Sequence, residues 1–301
     1  MCVLILLMAS TALCAASNLE AGARALGMGG AYTAIADDGA AAYWNPAGIT
    51  QVKMGLAFSG GVRGDWQTFD AIAQQDSSAV DGNFGFVGAA GLTFEHVAFN
   101  VSTEIGARAV AGGSGETVQI NRAKEGTLTL ATECTELLAI GVNAKYLYLE
   151  EETLTSAGST GKTNANGFAA DLGALFKVGK LVRVGAVVKD YPLTKFKLEA
   201  EPYELPTRMV LGGAVKVPLL GMVVAVDLET PLRGEGDPIF HVGLEQPILG
   251  ILFLRAGGYQ GTDGFNLTAG GGLKLGPVLL DVATDLGAEK PALYATAGVR
   301  F

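Results

Sequence analysis

Residues 22–48 read GARALGMGGAYTAIADDGAAAYWNPAG, and this stretch decides the fold class. It is too rich in Gly and Ala for a surface helix and too apolar for a linker. Small residues of this kind suit a place where backbone packs closely against surrounding walls, such as the lumen of a β-barrel. At the other end of the chain, a cleanly alternating strand ends at Phe301. Together the two ends predict an all-β, transmembrane antiparallel barrel of about 14 strands with a small N-terminal plug in its lumen.

The composition restricts the fold to two classes. The chain has 301 residues, of which 49% are hydrophobic and only 17% charged, whereas about a quarter of residues is charged in an ordinary soluble domain. After the N-terminus no run approaches the ~18 uninterrupted apolar residues of a membrane-spanning helix. The chain is therefore either a large soluble β-protein or a barrel whose apolar face lies in lipid.

The N-terminus has the pattern of a secretory leader. Residues 3–16, VLILLMASTALCAA, are apolar and end in small residues, which predicts a signal peptide over residues 1–16 and a mature chain that starts near Ser17. Cleavage removes Cys2 and Cys14 and leaves Cys134 without an intramolecular disulfide partner. The net charge of −9 argues against nucleic acid as a partner. The expected location is the bacterial outer membrane, with its lipid as the surrounding partner.

Residues 17–50 are the predicted plug and residues 51–301 the predicted barrel. A series of alternating or β-rich runs fills the barrel part of the chain. Most runs have about the 9–11 residues of a tilted transmembrane strand, and an even number is typical of bacterial barrels. The runs are 52–61, 84–93, 96–104, 125–133, 138–149, 166–177, 181–190, 208–216, 222–229, 239–246, 251–260, 265–275, 278–286 and 293–301.

The connections between these runs alternate in length, as they do in outer-membrane barrels, which have short periplasmic turns and longer external loops. A soluble sandwich has no reason to show this asymmetry. If Phe301 lies at the periplasm, all the long connections fall outside. The short connections are residue 95 and residues 134–137, 217–221, 247–250 and 276–277; the long ones are 62–83, 105–124, 150–165, 191–207 and 230–238.

Within the runs, one face is apolar and the other carries charges of both signs. In 222–229, for example, Val224, Val226 and Leu228 oppose Asp227 and Glu229. Periodicity alone does not show which face is outside; the signal peptide, the loop asymmetry and the C-terminal Phe favour lipid on the apolar side. The predicted lumen-facing residues are Asp171, Arg183, Asp227, Glu229, His241, Glu245, Arg255, Asp281 and Arg300.

The candidate enzyme motifs in the sequence are incomplete or lack the required structural context. Residues 156–163, SAGSTGKT, lack the first Gly of a phosphate loop and precede a strand rather than a helix. Residues 27–32, GMGGAY, lack the third Gly of a dinucleotide fingerprint. His96 and His241, the two histidines, are far apart in sequence, which argues against a His-rich metal site. We expect no enzyme activity, no catalytic residues, no cofactor and no metal.

Two groups of surface residues have simple explanations. Glu150, Glu151 and Glu152 open a predicted external loop, where a solvated charge run is favoured over a contact to divalent cations or lipopolysaccharide. Aromatic residues near the predicted strand ends fit an interfacial girdle. These are Trp66, Tyr146, Tyr148, Tyr191, Tyr203 and Tyr259.

The predicted plug has its own local signals. Asp37 and Asp38 precede a helical turn over residues 40–44 and place acid near its N-terminus. Pro46 forces Asn45 out of helical geometry, and the Asn45 side chain can then bond neighbouring backbone. Because buried charges need partners, we expect Arg24, Asp37 and Asp38 to pair with lumen charges. The candidate partners are Asp281, Arg255 and Arg300.

The same stretch resembles the N-terminal region of the FadL/PorV superfamily of outer-membrane proteins, most closely its PorV/PorQ branch. The matching residues are Arg24, Gly27, Gly29, Gly30, Asp37, Asp38, Tyr43, Trp44, Asn45, Pro46, Ala47 and Gly48. The resemblance implies a fourteen-stranded barrel in which the Asn-Pro-Ala core belongs to a plug, or hatch.

The resemblance also implies two kinds of function. FadL-like relatives pass fatty acids and other hydrophobic compounds inward through the plugged lumen and a lateral opening in the wall. PorV-like relatives serve type IX secretion, in which the partners are secretion-system proteins. We expect the first function, passive uptake of hydrophobic small molecules, and keep a non-transporting secretion component as the alternative.

Overall fold

A computed structural model describes residues 22–64, 83–112, 115–155, 158–198, 201–234, 236–261, 264–287 and 292–301. The predicted signal peptide and Trp66 lie outside the described residues. Among the residues that are described, no helix is both long and apolar enough to cross a bilayer.

Between residue 22 and the first strand, three short helical elements are described. They are α1 (Ala23–Gly27), α2 (Ala41–Trp44) and a 3₁₀ helix (Pro46–Gln51). The strands are β1 (Met54–Arg63), β2 (Asn83–Phe94), β3 (Val97–Gly112), β4 (Gly115–Glu133), β5 (Leu138–Thr155), β6 (Gly158–Val178), β7 (Val182–Pro192), β8 (Phe196–Leu198), β9 (Glu201–Tyr203), β10 (Thr207–Lys216), β11 (Val223–Arg233), β12 (Ile239–Ile248), β13 (Leu252–Gly261), β14 (Gly264–Leu275), β15 (Val278–Asp285) and β16 (Ala292–Arg300).

Fourteen of these strands form a closed barrel, in which sequence neighbours pair antiparallel all the way round. The barrel closes where β1 pairs with β16, with Gly55 opposite Arg300. Each of the fourteen predicted runs corresponds to one barrel strand, so the predicted all-β antiparallel barrel of about 14 strands is confirmed. Closure satisfies the backbone hydrogen bonds of every strand edge, which a lipid environment requires.

The predicted loops 105–124 and 150–165 are wrong. Those residues extend β3, β4, β5 and β6 to between 16 and 21 residues, longer than their neighbours. A hairpin whose strands already pair can continue beyond the bilayer, because each added residue keeps its cross-strand hydrogen bonds whatever the solvent. The sequence pattern that marks a lipid-facing strand ends earlier than the strand itself.

This extension also corrects the interpretation of the acidic run. Glu150, Glu151 and Glu152 lie on β5, not in a loop. Arg122 Nη1 lies 2.9 Å from Glu150 Oε1 and 2.6 Å from Glu152 Oε2, and Lys162 pairs with Glu150 at 3.0 Å. The run is therefore largely paired across neighbouring strands rather than simply solvated.

The two faces of the barrel wall differ sharply in exposure. Val226 and Leu244 are each 41% exposed, whereas their chain neighbours Asp227 and Glu245 are 1% and 4% exposed. Alternation along a strand sends successive side chains to opposite faces. The exposed apolar row forms the outer surface, and the buried polar row faces inward.

The connection between β7 and β10 carries a two-stranded hairpin, β8–β9. Phe196 and Leu205 from this connection pack against Leu147 on β5 and Ala169 on β6. Leu147 lies two residues from Lys145 on the inward face, so the connection folds over the lumen at the long-loop end of the barrel.

Candidate functional site: the occupied lumen

Residues 22–53, which we call the N-terminal segment, form a compact series of turns. Gly29 and Gly30 have φ angles of 66° and 81°, a left-handed conformation that glycine adopts without steric cost. Asn45 is extended and caps the 3₁₀ helix by accepting a hydrogen bond from Ala47 N at 3.1 Å. The predicted helical turn is present as α2, and the Asn-Pro pair ends it as expected.

The N-terminal segment contacts inward-facing side chains on many sides of the barrel, which places it in the lumen. On β11, the Asp227 carboxylate accepts hydrogen bonds from the backbone amides of Tyr32 at 3.0 Å and Thr33 at 2.8 Å. On β12, His241 Nδ1 lies 2.7 Å from the Gly29 carbonyl oxygen. On β16, the Thr296 hydroxyl accepts from Ala23 N at 2.9 Å.

The opposite wall holds the segment through two asparagines. Asn45 Nδ2 donates to the Thr33 carbonyl at 2.9 Å and to the Ala174 carbonyl of β6 at 3.0 Å. Asn143 Nδ2 on β5 donates to the Ala42 carbonyl at 2.8 Å and to Asp171 at 2.7 Å. An amide side chain can donate twice, so each asparagine bridges two pieces of chain.

Arg24 is the ionic centre of the segment. Its guanidinium donates to both carboxylate oxygens of Glu245, at 2.8 and 2.9 Å, and to Asp37 at 2.7 Å. It also lies 3.4 Å from Asp38. The planar guanidinium suits such multiple carboxylate contacts. The predicted partner Asp281 is wrong for Arg24, because Asp281 pairs with Arg255 at 2.7 Å instead.

Asp37 joins the segment to two further cations. Its carboxylate lies 3.2 Å from Arg183 on β7, and its carbonyl oxygen accepts a hydrogen bond from Arg300 on β16. Burial alone would raise the pKa of the Asp37 carboxyl, but Arg24 and Arg183 outweigh burial and hold that pKa below its ordinary value. Of the predicted partners for Asp37, Arg300 therefore makes contact through the backbone.

A β-bulge turns two successive side chains of β7 into the lumen. Lys189 and Asp190 together oppose Asp171 on β6, and Asp190 has a positive φ of 60°. The Lys189 ammonium lies 4.0 Å from the centre of the Tyr43 ring and 5.0 Å from that of Trp44. Bulges commonly re-aim side chains in this way. The bulge thus places a cation against the aromatic pair of the segment.

Beside the bulge lies a buried charge cluster. Lys145 Nζ is 3.0 Å from Asp171 and 2.9 Å from Asp190, and Arg208 lies 3.1 Å from Asp190 and 3.0 Å from Glu229. Asn143, Lys145, Asp190 and Arg208 are absent from the predicted site. Alternation along the strand that pairs with Asp171 could have assigned Asn143 and Lys145 to the inner face. Alternation could not have assigned Asp190, because the bulge in β7 interrupts the pattern there.

Glycines in the wall allow this close seating. A Cβ atom at Gly185 would overlap the Thr33 carbonyl, and one at Gly173 would overlap Asn45 and Pro46. Close backbone approach is a common reason for glycine inside a strand. The six glycines that meet the segment in this way are Gly141, Gly173, Gly185, Gly212, Gly243 and Gly257. They explain part of the high glycine content as a lining for the segment.

The remaining predicted residues take the following places. Gly27 lies against Gly270, Gly30 against His241, Gly48 against Ala36, and Ala47 against Gly141. Arg255 bridges Glu245 and Asp281. Tyr259 does not belong to an outer girdle: its hydroxyl donates to Asp285 at 2.7 Å and its ring stacks on His241. Tyr146 and Tyr191 are exposed on the outer surface, and the Tyr203 side chain lies outside the described part of the chain.

Below the segment, at the short-turn end, lies an open vestibule of about 810 Å³. Arg24, Asp37 and Asp38 form its ceiling. Its wall combines apolar and charged side chains: Leu181, Val223, Phe253, Leu273, Leu279, Lys180, Arg183, Lys216, Glu245, Arg255, Lys274, Asp281 and Arg300. The lumen is therefore open from one end up to the segment.

No family model and no curated protein matches this sequence. Solved structures match it over almost their whole length. The monoaromatic hydrocarbon channel CymD aligns with a TM-score of 0.68 and 14% identity over 94% of this chain and 98% of that chain. The toluene transporter TodX of Pseudomonas putida aligns with a TM-score of 0.65 and 12% identity over 93% and 96%.

A FadL homologue of Pseudomonas aeruginosa aligns with a TM-score of 0.63 and 11% identity, over 93% of this chain and 98% of that chain. At identities this low, the superpositions show a shared fold, and the roles of individual residues do not transfer with it. The strand number, the antiparallel closure and the near-complete alignments agree. The chain has the fold of the FadL-type outer-membrane barrels.

Proposed function

We propose that this chain is an outer-membrane channel for hydrophobic small molecules and that its N-terminal segment is the plug. The observation that carries the proposal is the alignment, over more than nine-tenths of both chains, with CymD and TodX. CymD is a monoaromatic hydrocarbon channel and TodX is a toluene transporter. The proposal is for a passive, non-enzymatic channel.

The lumen supports the plug part of the proposal. Many interactions, with strands on several sides, seat the segment: Arg24 with Glu245, Asp227 with Tyr32 and Thr33, and Asn143 with Ala42. Hydrogen bonds to charged groups contribute about 1.5–3 kcal/mol each. A segment held this way closes the lumen at rest and retains a vestibule on the short-turn side for solute that has passed.

The outer surface supports the location. Leu and Val side chains on the outward rows, such as Leu172 at 61% and Val101 at 60%, are exposed to whatever surrounds the barrel. Large exposed apolar surface is unusual for a soluble monomer and expected for a lipid-facing wall. Type IX secretion, the alternative from sequence, has no comparable support, because CymD, TodX and the Pseudomonas aeruginosa protein are a channel, a transporter and a FadL homologue.

The test is uptake of radiolabelled toluene by Gram-negative cells that lack their own FadL-type proteins. The lipopolysaccharide leaflet slows such solutes, so a channel should raise the initial uptake rate above that of vector-only cells. A folded, outer-membrane-inserted chain that leaves the rate at the vector-only level would refute the proposal. Heat-modifiable migration on gels serves as the control for folding.

A further inference from the structure

The N-terminal segment is anchored unevenly around the barrel. Strands β5, β6 and β7 hold it through Asn143, the Ala174 carbonyl and Arg183, and strands β11 and β12 hold it through Asp227, His241 and Glu245. Strand β16 holds Ala23 through the Thr296 hydroxyl and the Asp37 carbonyl through Arg300. These contacts are ionic or involve buried hydrogen bonds. Breaking the contacts of Asn143 or Asp227, which are 0% and 1% exposed, leaves a desolvated polar group, which makes this side of the segment costly to move.

The side that faces β1 is different. We call residues 38–40 the seam turn. The described hydrogen bonds and ion pairs of Asp38, Gly39 and Ala40 all lead to other residues of the N-terminal segment, such as the 2.6 Å hydrogen bond from Tyr32 Oη to Asp38. Against the wall, Gly39 packs on the Ala57 methyl group so closely that a Cβ on Gly39 would overlap it. The seam turn therefore meets β1 through van der Waals contact.

Two small cavities lie on either side of this contact. One, of about 30 Å³, is lined by Arg24, Asp281 and Arg300, which also line the vestibule. The other, of about 50 Å³, is lined by Glu125 and Lys145, toward the long-loop half. Gly39, Ala40 and Ala57 line both cavities. Each cavity is large enough to hold water, and the packing of Gly39 and Ala40 against Ala57 lies between them, beside the 3.1 Å hydrogen bond between Ser59 and Thr296.

We propose that the seam between the seam turn and Ala57 of β1 is the gate of the channel, and that compact, uncharged solutes pass there. This inference rests on the proposed function. A shift of the seam turn alone joins the vestibule to the long-loop half of the lumen, and it leaves the anchors on β5–β7 and β11–β12 in place. In the described strands the barrel wall is continuously paired, so the route stays within the lumen.

The lining sets the class of solute. At the narrowest point the surfaces are the Gly39 backbone and the Ala40 and Ala57 methyl groups, with Ser59 beside them. An ion that entered there would lose hydration without gaining a charged partner, which is costly. Arg24 on one side is already paired with Glu245, and Lys145 on the other side is already paired with Asp171. A neutral molecule of small cross-section does not incur this cost.

The test closes the seam with a disulfide. Gly39→Cys and Ala57→Cys are combined in a Cys134→Ser background, because Cys134 is a free, exposed thiol. The matched controls are the single variants Gly39→Cys and Ala57→Cys in the same Cys134→Ser background, which add the same atoms to the seam but cannot form the cross-link. Uptake of radiolabelled toluene is measured for oxidised and reduced cells, with folding checked by heat-modifiable migration.

If the seam is the gate, the oxidised seam disulfide reduces uptake to the vector-only level, reductant restores uptake, and the single-cysteine variants take up toluene equally under both conditions. Continued uptake with the seam disulfide formed would overturn the proposal. An equal loss of uptake in the single-cysteine variants would overturn it as well, because the loss would then come from disturbed seating rather than from a closed seam.

A second pair of variants covers failure of the cysteine proteins to fold. Ala57→Leu fills the seam without cross-linking, whereas Phe58→Leu changes the adjacent residue on the outer face, which is 56% exposed. Slower toluene uptake for Ala57→Leu alone supports the gate, and equal rates for both overturn it. The wild-type chain separates the two proposals: if it takes up no more toluene than vector-only cells, the proposed function fails and the gate fails with it.

Discussion

Two faces of the same hairpin, β11–β12, have opposite requirements. On the outer face, Val226 and Leu244 lie directly in line with other apolar side chains and have no specific partner. On the inner face, Asp227 binds the backbone of Tyr32 and Thr33, and Glu245 binds Arg24 and Arg255. The outer face needs only apolar character, whereas the inner face needs particular atoms at particular distances.

This difference matters for how the chain works. Apolar residues exchange freely on a lipid-facing wall because transfer free energy depends on area rather than on geometry. The inner face has to seat a segment that is distant in sequence, since Arg24 and Glu245 are separated by 221 residues. Substitutions on the outer face should affect membrane insertion, and those on the inner face should affect the seating of the N-terminal segment.

The largest expected effect is a charge on the outer face. Val226→Arg or Leu244→Arg should cost about 2–4 kcal/mol near the bilayer midplane and so reduce insertion. The measurement is the fraction of chain that shows heat-modifiable migration after folding into liposomes. Asp227→Asn and Glu245→Gln are the matched controls on the inner face and should fold. Equal tolerance of both pairs would show that the faces are inverted.

The next effect concerns the ionic centre of the segment. Arg24→Met removes hydrogen bonds to Glu245 and Asp37 and should weaken seating by about 1.5–3 kcal/mol, because water from the vestibule can then reach the freed carboxylates. The barrel should fold normally while the leak of a small polar dye from liposomes increases. Arg24→Lys keeps the charge but not the planar contacts, so its leak rate should fall between those of the wild type and Arg24→Met. If the leak rate of Arg24→Met equals that of the wild type, Arg24 does not contribute to the seating of the segment.

A smaller effect is expected at the bulge. Lys189→Met removes the cation that faces Tyr43 and Trp44, an interaction worth about 0.5–2 kcal/mol. We expect a modest increase in dye leak and faster proteolysis of the segment, with no change in barrel migration. Lys189→Arg retains a cation for the rings and should behave like the wild type. If Met and Arg variants behave alike, the cation contributes nothing to seating.

The smallest effect is a dependence on acidity. The folded pKa of Asp37 lies below its unfolded value of 3.8, so its contribution to seating is complete above that value and is lost as the pH falls through the folded pKa. Dye leak should be constant from about pH 8 to about pH 5 and rise below about pH 4. Asp37→Asn should abolish the Asp37 part of this rise. A leak that increases between about pH 7 and about pH 5 would point to a different group.

The sequence allowed the barrel to be predicted in number and order of strands, because alternation over about ten residues leaves a visible pattern. The sequence pattern did not predict the extended parts of β3 to β6, which were assigned to loops. There the apolar outer row ends, while hydrogen bonding between the paired strands continues. The assignment of Tyr259 to an outer girdle was wrong for a related reason. It used only the position of Tyr259 near a strand end, whereas alternation with Arg255 places Tyr259 on the inner face.

The lumen was predictable in composition but not in pairing. Asp227, Glu245 and Arg255 follow from alternation, and a small-residue segment near them follows from the composition of residues 22–48. The choice of Glu245 rather than Asp281 for Arg24 depends on how the segment is rotated inside the barrel. That rotation is set by glycines such as Gly185 and Gly173, whose role becomes visible only when the backbone they face is known.

The central claim is that the N-terminal segment closes the lumen, and deletion of residues 22–44 tests it most directly. The deletion protein should fold into a heat-modifiable barrel, because the wall pairs without the segment. Liposomes that carry it should then leak a small polar dye faster than liposomes that carry the full chain. If the deletion protein is folded and the two leak rates are equal, the segment does not close the lumen and the account is contradicted.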